Sequence, residues 1–488
     1  ASQTAYQIVV ATEPDRLSEK KADRWDSGKI SSSESILIKY AGDKLETGQL
    51  LYWKIRVWDE DDRVSDWSKP AKFGIGLLQP TDWSASFIGY PEETDRQNDN
   101  GFQVCPQFKK AFRVEKMNKG ETFLLHINSL GYHEVYVNGL KVGNQVLAPA
   151  VSQFNKRSLI NTYDVTDFIE KGPNNLIIWL GSGWYTEGLP GVAGNGPVCK
   201  AQLEKVFRGS SNIVCVTDES WTTRKSEYER IDNWRSNHYG GETVTGNLET
   251  RNQVLKAPDE FQWRTASIVE IPPHAVSSQM VEPNRIKETI NPILIDKLND
   301  STLLIDMGKT ITGWFEITFP SLKKGQEIVM RYADHLKDDG TIADQGQIDR
   351  YIASGHGTEL FINKFNYHGF RYVKISNLRQ KPLINKVKAH FIHTNFKTTS
   401  TFVSSDDDLN RIHDMISYTL RNVAIGGYLV DCPQLERLGY GGDGNASTVT
   451  AQTMFNLAPL YANWLQAWGD VIREDGGMPH TAPNPYKA

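Results

Sequence analysis

The chain has 488 residues, more than one hydrophobic core organises, so the usual domain size predicts about three or four domains. Lys and Arg number 54 and Asp and Glu 59, a net charge of −5 with both signs scattered, which argues against a basic face for nucleic acid. No apolar run has membrane-spanning length, and the four cysteines show neither a CxxC pair nor regular spacing, so neither a zinc site nor a disulfide framework is indicated.

The first segment, residues 1–78, has the pattern of a small β-sandwich of immunoglobulin or fibronectin type. In the stretch LLYWKIRVW, Trp53, Ile55 and Val57 point to one face of a half-buried strand. The turn stretches EPD, WDSG and DEDD separate it from other short strands.

Two further β regions follow. In residues 79–270, Asn138-Gly139 stands between apolar strands and predicts a type I′ hairpin, and NNLIIWLGSGWY reads as a buried strand. This region predicts a larger sandwich of jelly-roll scale. In residues 271–398 the clearest strands are STLLIDMG, TGWFEITFP, GQEIVMRYAD and FRYVKISNL.

The period changes to that of a helix after Ser404. Apolar residues recur at helical spacing at Leu409, Ile412, Ile416, Leu420 and Val423. Ser405 with Asp408 predicts a capping box, and Gly426-Gly427 predicts the stop. The stretches NASTVTAQTMFNL and PLYANWLQAWGDVIRE predict two more helices. Residues 399–488 therefore open a helical domain.

The stretch DCPQLERLGYGGDG separates the first two of these helices. It places Asp431, Glu436 and Asp443 within thirteen residues, among apolar residues and glycines. Glycoside hydrolysis needs an acid that protonates the leaving oxygen and a base or nucleophile at the sugar carbon, and further carboxylates bind sugar hydroxyls. The three acids could supply the acid and two hydroxyl ligands, but a structural or calcium-binding loop fits the pattern equally well.

This stretch resembles the signature loop of bacterial α-L-rhamnosidases of glycoside hydrolase family 78, whose pattern is close to DCP(Q/H)-(R)-(D)E-(R/K)-LG-(W/Y)-x-GD. Before Glu436 the chain is one residue shorter than that pattern. Other stretches resemble the family in the same order, and they are QTAYQIVVAT, YWKIRVWDEDDRVSDWS, YHEVYVNGLKVGNQVLAP, NTYDVTDFI, GSGWY, IDMGKTITGWFEI, YADHLKDDGTI, FNYHGFRYVKI and RIHDMISYTLRN.

The resemblance implies a multidomain, mainly β chain in which three β-sandwich domains precede the N-terminal part of an (α/α)6 barrel. Residues 1–78 would be a fibronectin type III-like module and residues 79–270 the jelly-roll domain of rhamnosidase N-terminal type. Residues 271–398 would be a second large β-sandwich domain and residues 399–488 the start of the catalytic barrel.

The implied activity is release of terminal α-L-rhamnose, with inversion, from a rhamnose-containing oligosaccharide, polysaccharide or glycoside. By position in the motif, Glu436 is similar to the general acid. Asp431 and Asp443 are similar to the acids that bind rhamnose hydroxyls, and Arg437 is expected to line the same subsite. The family's general base lies further along the barrel, and the resemblance marks neither Glu474 nor Asp475 as that base, so none is assigned.

A twelve-helix barrel needs roughly two hundred residues, whereas 85 remain from Ser404 onward (488 − 404 + 1). We therefore expect the catalytic domain to be incomplete in this chain. The competing function is a non-catalytic carbohydrate-binding assembly, and a third is a glycosidase of the same architecture acting on another sugar.

No cofactor is expected, and calcium is possible but not indicated, since Asp334, Asp338 and Asp339 lack the ligand spacing of a known calcium loop and favour a solvated turn. Family habit favours a periplasmic or secreted location, with a cytoplasmic one possible. His238 is interpreted as part of a surface turn, His480 as structural, and Trp184 with Tyr185 either as a stacking platform or as core.

Overall fold

The computed structural model describes residues 2–36, 38–77, 79–91, 104–185, 196–231, 240–246, 255–256 and 261–484. Strands dominate these residues, and three long helices lie beyond residue 406. The predicted order, β domains first and helices last, is confirmed. No helix of the described ranges is both long and apolar enough to cross a membrane.

The first sheet lies in the N-terminal segment and has five described strands. They are Ala5–Ala11, Trp25–Asp26, Ile30–Ser31, Leu50–Trp58 and Ala71–Gly74. Leu50–Trp58 is the strand predicted from its alternation, and it pairs antiparallel with Ala5–Ala11, with Ile55 opposite Ile8. Trp53, Ile55 and Val57 pack together on one face, because successive side chains of a strand point to opposite faces.

The second sheet has seven strands within the described residues. They are Ile88–Gly89, Thr122–Leu130, Arg157–Asp164, Val198–Phe207, Ser210–Val216, Ser267–Ile268 and Ala275–Ser278. Its long central pair is Thr122–Leu130 with Val198–Phe207, in antiparallel register. The inner face packs around Phe123, Ile127 and other side chains that are less than one-tenth exposed.

The third sheet is the largest, with fifteen described strands that run on from the second predicted domain into the third. Its members are Val104–Val114, Tyr132–Val137, Leu140–Lys141, Gly172–Gly181, Thr222–Ile231, Gly241–Thr245, Arg264–Thr265, Asn284–Ile290, Leu294–Asn299, Thr302–Thr318, Glu327–Ala333, Ile348–Ile352, Leu360–Ile362, His368–Ser376 and Val387–Thr394. Gly241–Thr245 and Ile348–Ile352 pair in parallel at the point where the two halves meet. The boundary predicted at residue 270 stays a prediction, and no break between sheets coincides with it.

Two details of the third sheet bear on the sequence predictions. Asn138 and Gly139 have φ of 51° and 82° and join Tyr132–Val137 to Leu140–Lys141, which confirms the predicted hairpin. The two strands predicted around Gly308 are one strand, Thr302–Thr318, whose register shifts between Asp306 and Ile311. A bulge of this kind lets one strand bend without ending, so the glycine did not separate two strands.

The helices are α1, Asp407–Val423; α2, Gly441–Met454; and α3, Ala458–Val471. Asp406 caps α1, because its carboxylate accepts hydrogen bonds from the amides of Asp408 and Leu409, so the capping box predicted at Ser405 was one residue early. The predicted end of the helix near Gly426-Gly427 is confirmed, although α1 ends at Val423, before the two glycines. Gly426-Gly427 forms the turn of a small hairpin between Ala424–Ile425 and Tyr428–Leu429.

The α2 helix begins four residues before the predicted start, so that the glycines of the acidic stretch form its first turn. The predicted apolar faces are only partly covered by the described residues. On α1, Leu420 is buried whereas Leu409 and Ile412 are each nearly half exposed. On α3, Trp464 is buried and Leu465 is 68% exposed.

Candidate active site

The backbone from Asp431 to Leu438 forms a closed loop, which we call the acidic loop. The amide of Asp431 donates to the carbonyl of Leu438 at 2.9 Å, and the amide of Leu438 donates to Oδ1 of Asp431 at 3.0 Å. Inside the loop the amide of Arg437 donates to the carbonyl of Cys432 at 3.1 Å. These bonds tie the two ends together, so the residues between them keep a fixed shape.

Glu436 is half-buried in this loop. The hydroxyl of Tyr440 donates a short hydrogen bond to its Oε2, and its amide lies 3.5 Å from Sγ of Cys432. Tyr440 is four residues further along the chain, immediately before α2. The carboxyl group is therefore held on one side by a protein donor while part of the side chain faces solvent.

Asp431 lies at the neck of the loop and is also half-buried. Its Oδ2 accepts a hydrogen bond from the Cys432 thiol at 2.8 Å. Burial raises the pKa of Cys432 to about 12, and the hydrogen bond to Asp431 and the negative charges of Asp431 and Glu436 act in the same direction. The thiol therefore stays protonated at neutral pH and acts as a donor. The thiol lies close to both acids, because the negative charges of Asp431 and Glu436 both raise its pKa.

Asp443 occupies the first turn of α2 and is exposed. A carboxylate is favoured in the first turn of a helix, where unpaired amides carry partial positive charge. The Tyr440 carbonyl accepts from the amide of Gly444 at 3.1 Å, so the start of α2 is connected directly to the residue that holds Glu436. The structure thus places all three predicted acids on one continuous segment, two in the loop and one at the helix that follows.

Arg437 points into the protein interior and is 1% exposed. Its Nε donates to the carbonyl of Pro433 at 2.9 Å. Its terminal nitrogens donate to Oδ1 of Asn366 at 3.1 Å and to Oε1 of Gln347 at 3.3 Å. The guanidinium also lies 4.6 Å from the ring centroid of Tyr367. That Arg437 lines a sugar subsite stays a prediction, and these contacts indicate a different use of the side chain.

The segment His480–Ala482 runs alongside the end of the loop. The amide of Gly441 donates to the carbonyl of His480 at 3.1 Å, and the amide of Ala482 donates to the carbonyl of Gly439 at 3.0 Å. The carbonyl of Ala482 in turn accepts from the indole of Trp464 at 2.7 Å. His480 itself is exposed. The backbone of this segment therefore supports the acidic loop, and His480 was predicted from the sequence to be structural.

A small cavity of about 20 Å³ is lined, among others, by Trp184, Gln153, Tyr428, Leu438 and Asn484. Its lining includes an apolar residue of the acidic loop but none of the three carboxylates. The indole is 8% exposed and packs in the main core cluster, which favours the core interpretation of this tryptophan.

Of the other polar residues singled out in the sequence, Asp339 lies in a turn, whereas Asp334 contacts Gln434 of the acidic loop. Asp339 accepts hydrogen bonds from the amide and hydroxyl of Thr341, as in a polar turn, and Asp334 accepts from Nε2 of Gln434 at 3.2 Å. Among the residues that the structure describes, no group of three or more His, Cys, Asp or Glu side chains could hold a metal ion. His238 lies outside the described residues.

Sequence reasoning missed the residues that hold the acids in place, namely Cys432, Tyr440, Gln347, Asn366 and Tyr367. The first two lie within the motif, and the spacing of four between Glu436 and Tyr440 was a local signal. The last three lie far away in sequence, just before the strands Ile348–Ile352 and His368–Ser376. Two of them belong to the quoted stretch FNYHGF, but nothing in that stretch showed what it contacts.

Four family models match the chain in order. They are a Rha78A-like N-terminal immunoglobulin domain at residues 1–79, an alpha-L-rhamnosidase N-terminal domain at 119–288, a bacterial alpha-L-rhamnosidase concanavalin-like domain at 296–393 and a bacterial alpha-L-rhamnosidase 6 hairpin glycosidase domain at 397–488. The last of these confirms that the C-terminal helices belong to the predicted type of helical domain, and it contains the acidic loop.

An alpha-L-rhamnosidase of Formosa agariphila is 31% identical over 99% of this chain and 53% of its own length. The solved alpha-L-rhamnosidase of Dictyoglumus thermophilum is 30% identical with a TM-score of 0.86, over 99% of this chain and 55% of that one. A structure from Streptomyces avermitilis, described as complexed with L-rhamnose, has the same fold at 22% identity, with a TM-score of 0.86 over 99% and 63% of the two chains.

The chain spans about half the length of the curated relatives that it matches. Within that half, the domain models follow the family's order from the first residue to the last without overlap. The chain belongs to the bacterial α-L-rhamnosidase family.

Proposed function

We propose that this chain supplies the general-acid side of an α-L-rhamnosidase active site, with Glu436 as the acid. The observation that carries the proposal is the half-buried carboxyl of Glu436 in a loop closed at its neck by Asp431. Its support is the position of that loop in the segment matched by the 6 hairpin glycosidase domain. An acid in this place would protonate the glycosidic oxygen as the bond to the sugar carbon breaks.

The contacts of Glu436 favour one of its oxygens for that proton. Tyr440 donates to Oε2, so Oε2 serves as an acceptor and the transferable proton belongs on Oε1. Proton transfer from a fixed carboxyl group contributes typically 10²- to 10⁴-fold to a rate. The phenol thus sets the direction from which the leaving oxygen must approach.

Asp431 and Asp443 are proposed to bind hydroxyl groups of rhamnose. A carboxylate offers about four acceptor positions, and the protein uses one on each oxygen of Asp431, through Leu438 and Cys432. The remaining positions can accept sugar hydroxyls. Asp443 is exposed on the first turn of α2 and can reach a ligand lying over the loop.

Release of terminal α-L-rhamnose with inversion requires a second carboxyl that activates water on the opposite side of the ring. No general base is assigned in this chain. Substrates that carry terminal rhamnose, and export to the periplasm or the exterior, remain proposals that follow from family membership.

The test uses the complete gene product and a natural rhamnoside, because its alcohol leaving group needs the proton that a general acid supplies. E436Q should lower kcat by about 10²- to 10⁴-fold while L-rhamnose binds with unchanged Kd. E474Q, which removes an exposed carboxylate of the same helical segment, should leave the rate unchanged. Proton NMR of the first product should show β-L-rhamnose if the reaction inverts.

Three results would count against the proposal. A wild-type rate in E436Q removes Glu436 from the mechanism. Rhamnose binding by the wild type without hydrolysis supports the carbohydrate-binding alternative. Release of a different monosaccharide from a mixture of glycosides supports a glycosidase for another sugar.

A further inference from the structure

The acidic loop rests on a segment of the third β region, residues 363–369, which we call the platform segment. Gly369 shows how close the contact is, because a Cβ at this position would stand 2.7 Å from the amide nitrogen of Gln434. Gln347 holds Gly369 by two hydrogen bonds of 2.9 Å, one to its carbonyl and one from its amide. The loop backbone therefore lies directly on a sheet strand.

Buried polar groups hold the platform segment itself in place. The side chain of Asn363 donates to Asp349 at 2.8 Å and to Glu242 at 3.1 Å. The amide of Phe365 donates to Glu242 at 2.7 Å, and Nε2 of His368 lies 2.9 Å from Oδ2 of Asp349. All of these residues are at most 5% exposed. Nδ1 of His368 is buried without a hydrogen-bond partner, but the hydrogen bonds described above limit the movement of the platform segment, which gives the loop a fixed reference.

Arg437 links the loop to the platform. Its guanidinium has a loop acceptor, the carbonyl of Pro433, and two acceptors outside the loop, Asn366 and Gln347. Its guanidinium also lies over the ring of Tyr367. Its backbone has a φ of 59°, a conformation that costs a non-glycine residue energy and persists where the surroundings enforce it.

A sugar ligand would have to reach this guanidinium through protein. The side chain is 1% exposed, and its platform neighbours Gln347, Asn366 and Tyr367 are 1–2% exposed. By contrast the adjacent Glu436 is half-buried and partly faces solvent. Glu436 and Arg437 are adjacent in the loop, but the side chain of Glu436 faces partly outward and that of Arg437 is buried in the protein.

We propose that Arg437 is a positioning residue that clamps the acidic loop onto the platform segment and so keeps the Glu436 carboxyl in place. The kinetic part of this inference rests on the proposed function. The structural part, that the clamp keeps the loop ordered, does not depend on the proposed function.

The structural part is tested by hydrogen–deuterium exchange of this chain, followed on peptides that cover residues 431–440. R437M keeps the apolar stem and removes three hydrogen bonds, so exchange of the loop amides should accelerate at least about tenfold. The matched control is R157M. Arg157 is also a buried arginine, and it joins the second β region to Asp470 of α3 at 2.7 Å, so its loss should leave loop exchange unchanged.

Asn366→Ala provides a milder variant that keeps Arg437 and removes one acceptor. Exchange of the same peptides should accelerate roughly threefold, in line with the loss of a single hydrogen bond. Loop exchange that is unchanged in R437M, or equally fast in R437M and R157M, would overturn the clamp. If R437M does not fold, an Asn366→Ala variant with wild-type loop exchange has the same meaning.

The kinetic part is tested on the complete gene product. R437M should lower kcat by about 100-fold, the cost of a misplacement of roughly 1 Å at a reacting group, and should change KM by less than about threefold. R437K should recover part of kcat because it keeps the charge over Tyr367. A large rise in KM with kcat retained would identify a sugar ligand instead. Absence of rhamnose release by the wild type would refute the proposed function and leave the exchange result standing.

Discussion

A buried ion cluster joins the second and third β regions and lends itself to a quantitative test. The carboxylate of Glu134, 4% exposed, lies 2.5 Å from Nζ of both Lys141 and Lys364. Lys364 belongs to the platform segment, is 11% exposed and also lies 4.4 Å from the ring centroid of Trp179. Although burial opposes it, the two ammonium groups hold the pKa of Glu134 well below its usual range.

The perturbation is K364M, which keeps the stem and removes the charge. Breaking a buried pair by removing one partner typically costs about 3–5 kcal/mol, because the other charge stays buried. Lys141, whose side chain is 30% exposed, still pairs with Glu134 in this variant. We therefore expect the lower end of that range, about 3 kcal/mol.

The assay is a double-mutant cycle with E134Q, measured by urea unfolding of the β transition at pH 7. The destabilisation of the double variant E134Q/K364M should be smaller than the sum of the two single destabilisations by at least about 1.5 kcal/mol, because neither charge is then left buried without its partner. K309M is the matched control. Lys309 pairs with Glu288 at 2.9 Å, but both side chains are well exposed, so the change should stay within about 0.5 kcal/mol.

Two results would refute this reasoning. If the effects of E134Q and K364M simply add, the two side chains are not coupled. If K364M lowers the free energy of unfolding no more than K309M does, burial does not set the strength of the ion pair between Glu134 and Lys364. Because the pKa of Glu134 lies below its ordinary value of 4.5, its stabilising contribution is present above that pH and is lost as the pH falls, so the penalty of K364M should be the same at pH 6 and pH 8.

Two further predictions concern Glu242 and Tyr440. Burial, and then the charge of Asp349, raise the pKa of Glu242 to about 8. The folded state therefore binds a proton that the unfolded state releases. The contribution of protonated Glu242 to stability is complete below pH 4.5 and is lost as the pH rises toward 8. The melting temperature of the wild type should therefore fall more steeply between pH 5 and 8.5 than that of E242Q, and equal slopes would contradict the assignment. Y440F removes the donor to Oε2 of Glu436 and should lower kcat on a natural rhamnoside by about tenfold with little change in KM. A wild-type kcat would show that the phenol does not orient the acid.

The arrangement around the acidic loop explains why the β regions are attached to a helical domain at all. The loop takes its covalent support from α2 and the hairpin after α1, but its underside rests on strand residues of the third sheet. Within that sheet, the strands of the second and third β regions meet at the parallel pair Gly241–Thr245 with Ile348–Ile352, and the cluster at Glu134 also joins the two regions. Disturbance of either joint should therefore reach the loop through the platform segment.

Local features of the fold could be predicted from the sequence because they depend on neighbours in the chain. The strand Leu50–Trp58, the turn at Asn138-Gly139 and the three C-terminal helices follow from periodicity and from the backbone freedom of glycine and asparagine. The acidic stretch was also visible, because three carboxylates, a proline and several glycines within thirteen residues are hard to explain as a solvated loop.

Element boundaries and the joining of strands were less predictable. The cap of α1 fell at Asp406 rather than Ser405, and α2 took in the glycines that sequence reasoning left in the loop. Thr302–Thr318 continues through Gly308 because its partner strands pair with it on both sides of the bulge. Pairing across a sheet is a tertiary property that outweighs the local preference of one glycine.

The sequence by itself determined which residues are the candidates for the chemistry, because the acids, their spacing and the pattern around them are all contained in one short stretch. Only the tertiary structure decided how those residues point. It turned Glu436 toward the surface and Arg437 into the interior, although they are adjacent in the chain. The physical reason is that the acceptors for the guanidinium, on Asn366 and Gln347, lie 71 and 90 residues away in the chain. No local pattern in the sequence records such a contact.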